Sequence, residues 1–310
     1  MGNASLYNKD FLSVLDLDAQ LAAEVLDLAD QVKEYPSDFT ASLLGKVMVM
    51  IFEKPSLRTR VTFESGIASL GGKAIYLAPE QIKMGDREPV CDVARNLERW
   101  VNVIVARTYS HDTLEELARE GSIPVVNALS DWEHPCQALA DFQTVRAHFG
   151  NRPITLTYIG DGNNVCHSLI LLGVMLGHEM RVACPEGYEP DAKVLGQAAA
   201  LGNGSAGSVQ VGSDVKGLVE GADILYTDVW TSMGQEEEQA KRRADFAGYQ
   251  INKDLVNLAG SDTKVLHCLP AHRGEEITAE VIDSPASILY EQAENRLHSQ
   301  KALLLKLLEG

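Results

Sequence analysis

An alternation limits the possible folds of this chain more than any other feature. Short apolar runs at residues 46–52, 73–77, 101–106 and 123–126 have the length and β-branched content of buried strands, and segments of helical period lie between them. Strands separated by helices pair in parallel, because each crossover lays its helix on a sheet face. After Gly150-Asn151-Arg152-Pro153 the alternation starts afresh, with strands expected at 154–159, 180–184, 209–211, 224–227 and 265–268. The pattern predicts an α/β protein with two doubly wound parallel-sheet domains. We place them at residues 1–149 and 150–290, with a last helix over 291–310 returning to the first domain. Ligands are expected in a cleft facing the carboxyl ends of the strands. A helix is also expected over residues 9–34, where Phe11, Leu15, Leu21, Val25, Leu28 and Val32 form an apolar stripe.

At 310 residues the chain is long enough for two such domains, each with its own core. Its 27 Lys and Arg against 44 Asp and Glu leave a net charge of −17. So acidic a chain repels nucleic acid and anionic membrane surfaces, and neither is an expected partner. An anionic ligand would need a local cluster of arginines. The longest apolar run, residues 169–176, is too short to cross a bilayer. The first residues lack the basic-then-apolar pattern of a signal peptide, and Leu6 stands where a myristoylation motif has Ser or Thr. Cys91, Cys136, Cys166, Cys184 and Cys268 are odd in number and unclustered, which suggests reduced thiols in a cytoplasmic protein.

The candidate chemistry sits at or just past the expected strands. Ser56-Leu57-Arg58-Thr59-Arg60 joins a buried strand to a helix whose face carries Phe63, Ile67 and Leu70. There, backbone N–H groups, hydroxyls and a guanidinium converge at the positive end of a helix dipole, a site for phosphate. An ordinary N-cap by Ser56 explains the same residues. Arg107 ends the third apolar run. In His134-Pro135-Cys136-Gln137, proline suits the first helical turn, so His134 falls at the N-cap and Gln137 over the same face. Such a pair suits a carbonyl oxygen and its amide, although taken by itself a histidine that merely caps a helix is the plainer reading.

Gly160-Asp161-Gly162-Asn163-Asn164 resembles a dinucleotide loop, but Val165 stands at the third glycine position. Asn163 and Asn164 instead offer amides suited to a carboxylate. Asp228, ahead of Ser232-Met233-Gly234, can take an ammonium group, or can be an ordinary turn residue. His267-Cys268-Leu269-Pro270 closes the last strand. Adjacent strand residues point to opposite faces, so His267 and Cys268 are not expected to share an ion, and no metal is expected.

Ser56 to Arg60, His134 to Gln137, Asp228 with Ser232-Met233-Gly234, and His267 to Pro270 occur in the order and spacing of the aspartate/ornithine carbamoyltransferase family. The resemblance covers residues 8–308, and the last two motifs resemble its ornithine branch. It implies transfer of the carbamoyl group of carbamoyl phosphate to the δ-amine of L-ornithine, giving citrulline and phosphate, with no cofactor and no covalent enzyme intermediate. It also implies a homotrimer or a multiple of trimers. By position, Ser56, the Leu57 backbone, Arg58 and Thr59 would hold the phosphate, joined by Arg296 from the last helix and by Gln81 reaching a neighbouring subunit's site. Arg107, His134 and Gln137 would hold the carbamoyl group. Asn164, Asp228, Ser232 and Met233 would hold ornithine, and Cys268 and Leu269 would line the junction of the substrates. Thr59, Arg107, His134 and Cys268 are the residues expected to act at the reacting atoms.

Many family members carry Thr where Leu57 stands, a change of small consequence if the backbone does the work. Arg60 is expected to make a structural ion pair, and residues 234–243 are a candidate lid. Rival readings are a putrescine or N-acylornithine carbamoyltransferase, a dinucleotide-dependent oxidoreductase and a non-catalytic anion-binding module.

Overall fold

The structure, a computed structural model, describes residues 5–78, 82, 84–231 and 236–309. The chain forms two compact units, Met1–Gln143 with Glu294–Gly310, and Thr144–Ala293. Both boundaries fall inside helices, Pro135–Phe149 and Leu289–Leu308.

In the first unit, β1 (Val47–Phe52), β2 (Lys73–Leu77), β3 (Val103–Arg107) and β4 (Val125–Leu129) form one parallel sheet in the order β2-β1-β3-β4. The continuous apolar run of β1 fits its place inside the sheet, with Met48 to Phe52 buried on both faces. Val49, Ile51, Ile104 and Ala106 pack against Val93, Leu97, Leu114 and Leu117 from two crossover helices. The last helix contributes Ala302, Leu303, Leu304 and Leu305 to the buried core. It is tied to this unit by Asn8 N–H on the Leu307 carbonyl (3.0 Å) and by Lys306 with Glu24 (2.8 Å). The expected return of the final helix to the first domain is therefore observed.

The second unit holds β5 (Thr155–Ile159), β6 (Glu179–Ala183), β7 (Ser208–Gly212), β8 (Ile224–Thr227) and β9 (Lys264–His267). They form a parallel sheet in the order β7-β6-β5-β8-β9. The helix Asn164–Met175 is buried almost all round, as its uniformly apolar sequence requires. Among the described residues, no helix is long and apolar enough to cross a membrane.

Both sheets are doubly wound, as expected. In each, strand order reverses beside the first strand, between β1 and β3 and between β5 and β8. Such a reversal point is where open α/β sheets place their ligands, at the carboxyl ends of the strands.

Two local expectations are corrected. Residues 9–34 are not one helix: the helix is Ala19–Glu34, capped by Asp18, preceded by a short turn at Val14–Asp16 capped by Ser13. Phe11 is diverted to the sheet, where its N–H and carbonyl bond Val125 and Asn127 (both 2.8 Å), and the two caps stop helix propagation. Arg107 is the last residue of β3, not the one after it, and the register with β4 shifts between Ala106 and Arg107. Within 234–243, the described residues form a turn at Glu236–Glu238 and the start of the helix Gln239–Asp245.

Candidate active site

The first unit gathers its polar residues at the carboxyl ends of β1, β3 and β4. Ser56 caps the helix Leu57–Ser69, its hydroxyl accepting the Thr59 N–H at 3.3 Å. The Leu57 side chain at the first helical position is 75% exposed, so packing places no demand on it. Thr59 is buried. Arg60 turns away, pairing with Glu64 (2.9 Å) and lying 3.8 Å over the Tyr76 ring. That is a structural role.

His134 precedes the helix Pro135–Phe149 and is held by its neighbour. The buried Glu133 carboxylate accepts from the Ser13 hydroxyl (2.5 Å) and the Val14 N–H (3.2 Å), while its backbone N–H donates to the Ser130 hydroxyl (3.2 Å). From the last helix, Arg296 donates to Gln137 Oε1 (2.5 Å) and Thr59 Oγ1 (3.2 Å). Gln137 Nε2 in turn donates to Asp141 (2.8 Å). With the Gln300 amide turned so that its oxygen faces the guanidinium, it accepts from Arg296 Nε (3.2 Å) and donates to Thr62 Oγ1 (2.7 Å).

Burial first, and then repulsion from Arg296, Arg107 and Arg58, hold the His134 pKa well below 6.5. His134 is therefore a neutral imidazole at neutral pH, able to donate one hydrogen bond without bringing a charge of its own. Three guanidiniums around it concentrate positive charge in a chain of net charge −17, as an anion site requires. Cys136 takes no part: burial pushes its thiol up to about 12, and it donates to the Asn127 carbonyl (3.4 Å).

The second unit builds its array at the ends of β5, β8 and β9. Asn163 caps the helix Asn164–Met175, its Oδ1 accepting from Val165 (3.0 Å) and Cys166 (3.1 Å). Its Nδ2 donates to Asp228 Oδ2 (2.9 Å). Asp228 Oδ1 accepts from the Val229 N–H (2.8 Å) and the Cys268 thiol (2.9 Å). Asn163 is thus a cap and a holder of Asp228, where an open amide was expected. The same cap covers the N–H groups a dinucleotide pyrophosphate would use. Gly162 has no room for any side chain, since a Cβ there would lie 2.2 Å from Pro190 N.

Asp161 ion-pairs with Arg242 (2.7 Å), which also donates to the Trp230 carbonyl (3.0 Å) and pairs with Glu238 (3.0 Å). Burial raises the Asp161 pKa more than the Arg242 hydrogen bond lowers it. Arg242 so fastens the segment after Asp228 to the loop after β5. Gln81, Ser232 and Met233 lie outside the described residues.

Potential metal-binding atoms of Asp228, His267 and Cys268 lie within 4.8 Å of one another, closer than strict strand alternation predicts. β9 ends at His267, and Leu269 has a left-handed φ of 60°, so the backbone turns where alternation would have separated the side chains. For a leucine that conformation costs roughly 1–2 kcal/mol. Both His267 ring nitrogens are engaged, Nδ1 by the Leu269 N–H (2.8 Å) and Nε2 by Glu276 (3.0 Å), which leaves no lone pair for an ion. In a second acidic group, His272, Glu275 and Glu276, Glu275 is bound to Arg243 and Glu276 to His267.

The roles of Asn163, Asp141, Gln300, Arg242 and Glu276 are not evident in the sequence. A signal existed for two of them: Gln137 and Asp141 are spaced i, i+4 on one helix, and Asn163 stands at an N-cap position.

Residues 9–147 match the carbamoyl-P binding domain, and residues 152–307 the Asp/Orn binding domain, of the aspartate/ornithine carbamoyltransferases. The ornithine carbamoyltransferase of Listeria innocua is 49% identical over 304 residues, 97% of this chain and 96% of that protein. The solved ornithine carbamoyltransferase of Pyrococcus furiosus is 47% identical with a TM-score of 0.96, covering 99% of both chains. The anabolic enzyme of Campylobacter jejuni is 35% identical with a TM-score of 0.91, covering 96% of this chain and 97% of its own. The chain belongs to the aspartate/ornithine carbamoyltransferase family.

Proposed function

We propose that this protein transfers the carbamoyl group of carbamoyl phosphate to the δ-amine of L-ornithine, releasing citrulline and phosphate. The observation that carries the reading is the buried array of Thr59, Gln137 and Arg296, with Arg58 and Arg107 also acting on a neutral His134. Residues 1–149 with 291–310 hold carbamoyl phosphate: Ser56, the Leu57 N–H, Arg58, Thr59 and Arg296 bind its phosphate, and Arg107, His134 and Gln137 its carbamoyl group. Residues 150–290 hold ornithine through Asn164, Asp228, Ser232 and Met233, with Cys268 and Leu269 beside the reacting amine.

Attack of the neutral amine on the carbamoyl carbon builds negative charge on the carbonyl oxygen. Thr59, Arg107 and His134 donate to that oxygen, and loss of one such donor slows turnover by about 10²-fold. The departing phosphate takes the proton from the amine, so neither a cofactor nor a covalent intermediate is required. Most of the rate enhancement then comes from placing two substrates in line.

Further properties follow from the family resemblance. The chain assembles as a trimer or a multiple of trimers, and Gln81 reaches a neighbouring subunit's site. The odd number and scattered positions of the five cysteines support a cytoplasmic location.

A citrulline assay with carbamoyl phosphate and a panel of ornithine, putrescine, N-acetylornithine and aspartate tests the reading. Turnover with ornithine is expected, and turnover with aspartate but not ornithine refutes it.

A further inference from the structure

In the second unit, His267 and Glu276 form a pair whose side chains are both 0% exposed, immediately before Cys268. The Leu269 N–H donates to His267 Nδ1 at 2.8 Å, so that nitrogen presents a lone pair and carries no proton. The ring proton is therefore on Nε2, which donates to Glu276 Oε1 at 3.0 Å. The same carboxylate oxygen accepts the His272 N–H at 2.5 Å. From the other side, the His267 backbone N–H donates to Gln292 Oε1 (2.9 Å), whose Nε2 donates to the Tyr226 hydroxyl (3.2 Å). One carboxylate so fixes the tautomer of the ring, and the ring fixes a leucine backbone in the left-handed region at φ 60°. Between these two points sits Cys268, with its thiol 2.9 Å from Asp228.

We propose that Glu276 is a positioning residue for the amine-binding half of the site. It acts through the His267 tautomer, which holds the turn at Leu269 and with it the Cys268 thiol against Asp228. This inference rests on the reading that Asp228 and Cys268 face ornithine. Without the carboxylate, the proton of the neutral ring is free to move to Nδ1. An Nδ1–H opposes the Leu269 N–H and releases the turn.

The test combines ¹⁵N-histidine NMR with steady-state kinetics on the full chain. In the parent, His267 should show the neutral Nε2–H tautomer. In Glu276→Leu, of similar volume, it should lose that single tautomer. The same variant should lose about 10²-fold in kcat/KM for ornithine, as expected of a displaced reacting group, while the KM for carbamoyl phosphate stays within about twofold. Glu276→Gln keeps an accepting oxygen and should recover most of the loss. If the leucine variant does not fold, the parent spectrum together with His267→Asn and His267→Gln decides. Asparagine preserves the Nδ1-like acceptor and should keep more activity than glutamine. An Nδ1–H tautomer or an imidazolium in an active parent overturns the inference alone, as does equal loss toward both substrates. A parent that makes no citrulline overturns the activity reading, and with it this role.

Discussion

The Arg296 guanidinium donates to the Gln137 side-chain oxygen at 2.5 Å, joining residues 159 apart in the chain. Through Thr59 the same guanidinium also reaches the start of the Leu57–Ser69 helix. The last helix thereby adds a third guanidinium to those of Arg58 and Arg107 at the strand ends of the first unit. It arrives already oriented, which lowers the ordering cost of binding an anion.

Replacing this guanidinium should therefore affect stability and catalysis together. Arg296→Lys keeps the charge but loses the planar fork that reaches Gln137 and Thr59 at once. We expect citrulline formation to fall by about 10²-fold with a raised KM for carbamoyl phosphate. Arg296→Ala should also lose about 1–3 kcal/mol in urea unfolding, because Gln137 Oε1 is left without its charged donor. Parent-like kinetics in the lysine variant would remove Arg296 from the binding site.

The Asp161–Arg242 pair should matter out of proportion to an ordinary ion pair, since the two side chains are only 13% and 8% exposed. Arg242→Ala leaves the Asp161 carboxylate buried alone, which costs about 3–5 kcal/mol. It also frees the Trp230 carbonyl, and the KM for ornithine should rise. The double variant Asp161→Asn, Arg242→Ala should unfold less readily than the single. Additive losses in a double-mutant cycle would show that the two groups do not interact.

His178 should make the protein acid-sensitive in a defined window. Burial lowers its pKa from 6.5 to about 4, so the native state holds it neutral while the unfolded chain binds a proton below pH 6.5. The unfolded state therefore takes up more protons, and stability rises with pH across that interval. The contribution is complete above pH 6.5 and is lost as pH falls toward 4, on the order of 3 kcal/mol in all. The Ile154 N–H donates to His178 Nδ1 (3.3 Å), and His178→Asn preserves an acceptor there without a titrating group. Urea unfolding of parent and variant at pH 7.5, 6 and 5 should give slopes that differ by up to one proton below pH 6.5. Parallel curves would refute the assignment.

Much of the fold was legible because it depends on short-range rules. The apolar run ending at Phe52 announces a buried strand, Ser56 a helix start, and the renewed alternation after Pro153 a second sheet. Residues 9–18 misled because their stripe fits a helix, while the hydrogen bonds that divert Phe11 come from Val125 and Asn127, more than a hundred residues away. Asn163 and Asn164 were equivalent as amides in sequence. The cap and the approach of Asp228 assign Asn163 to support.

What the sequence determined alone was the parallel α/β class, the motif at each strand end and the local caps, because periodicity and turn sterics act within a few residues. Tertiary structure alone decided that Arg296 meets Thr59 and Gln137, that Cys268 meets Asp228, and that His134 is neutral. Those outcomes rest on desolvation and on fields summed over groups brought together by strand order, and neither quantity exists until the chain has folded.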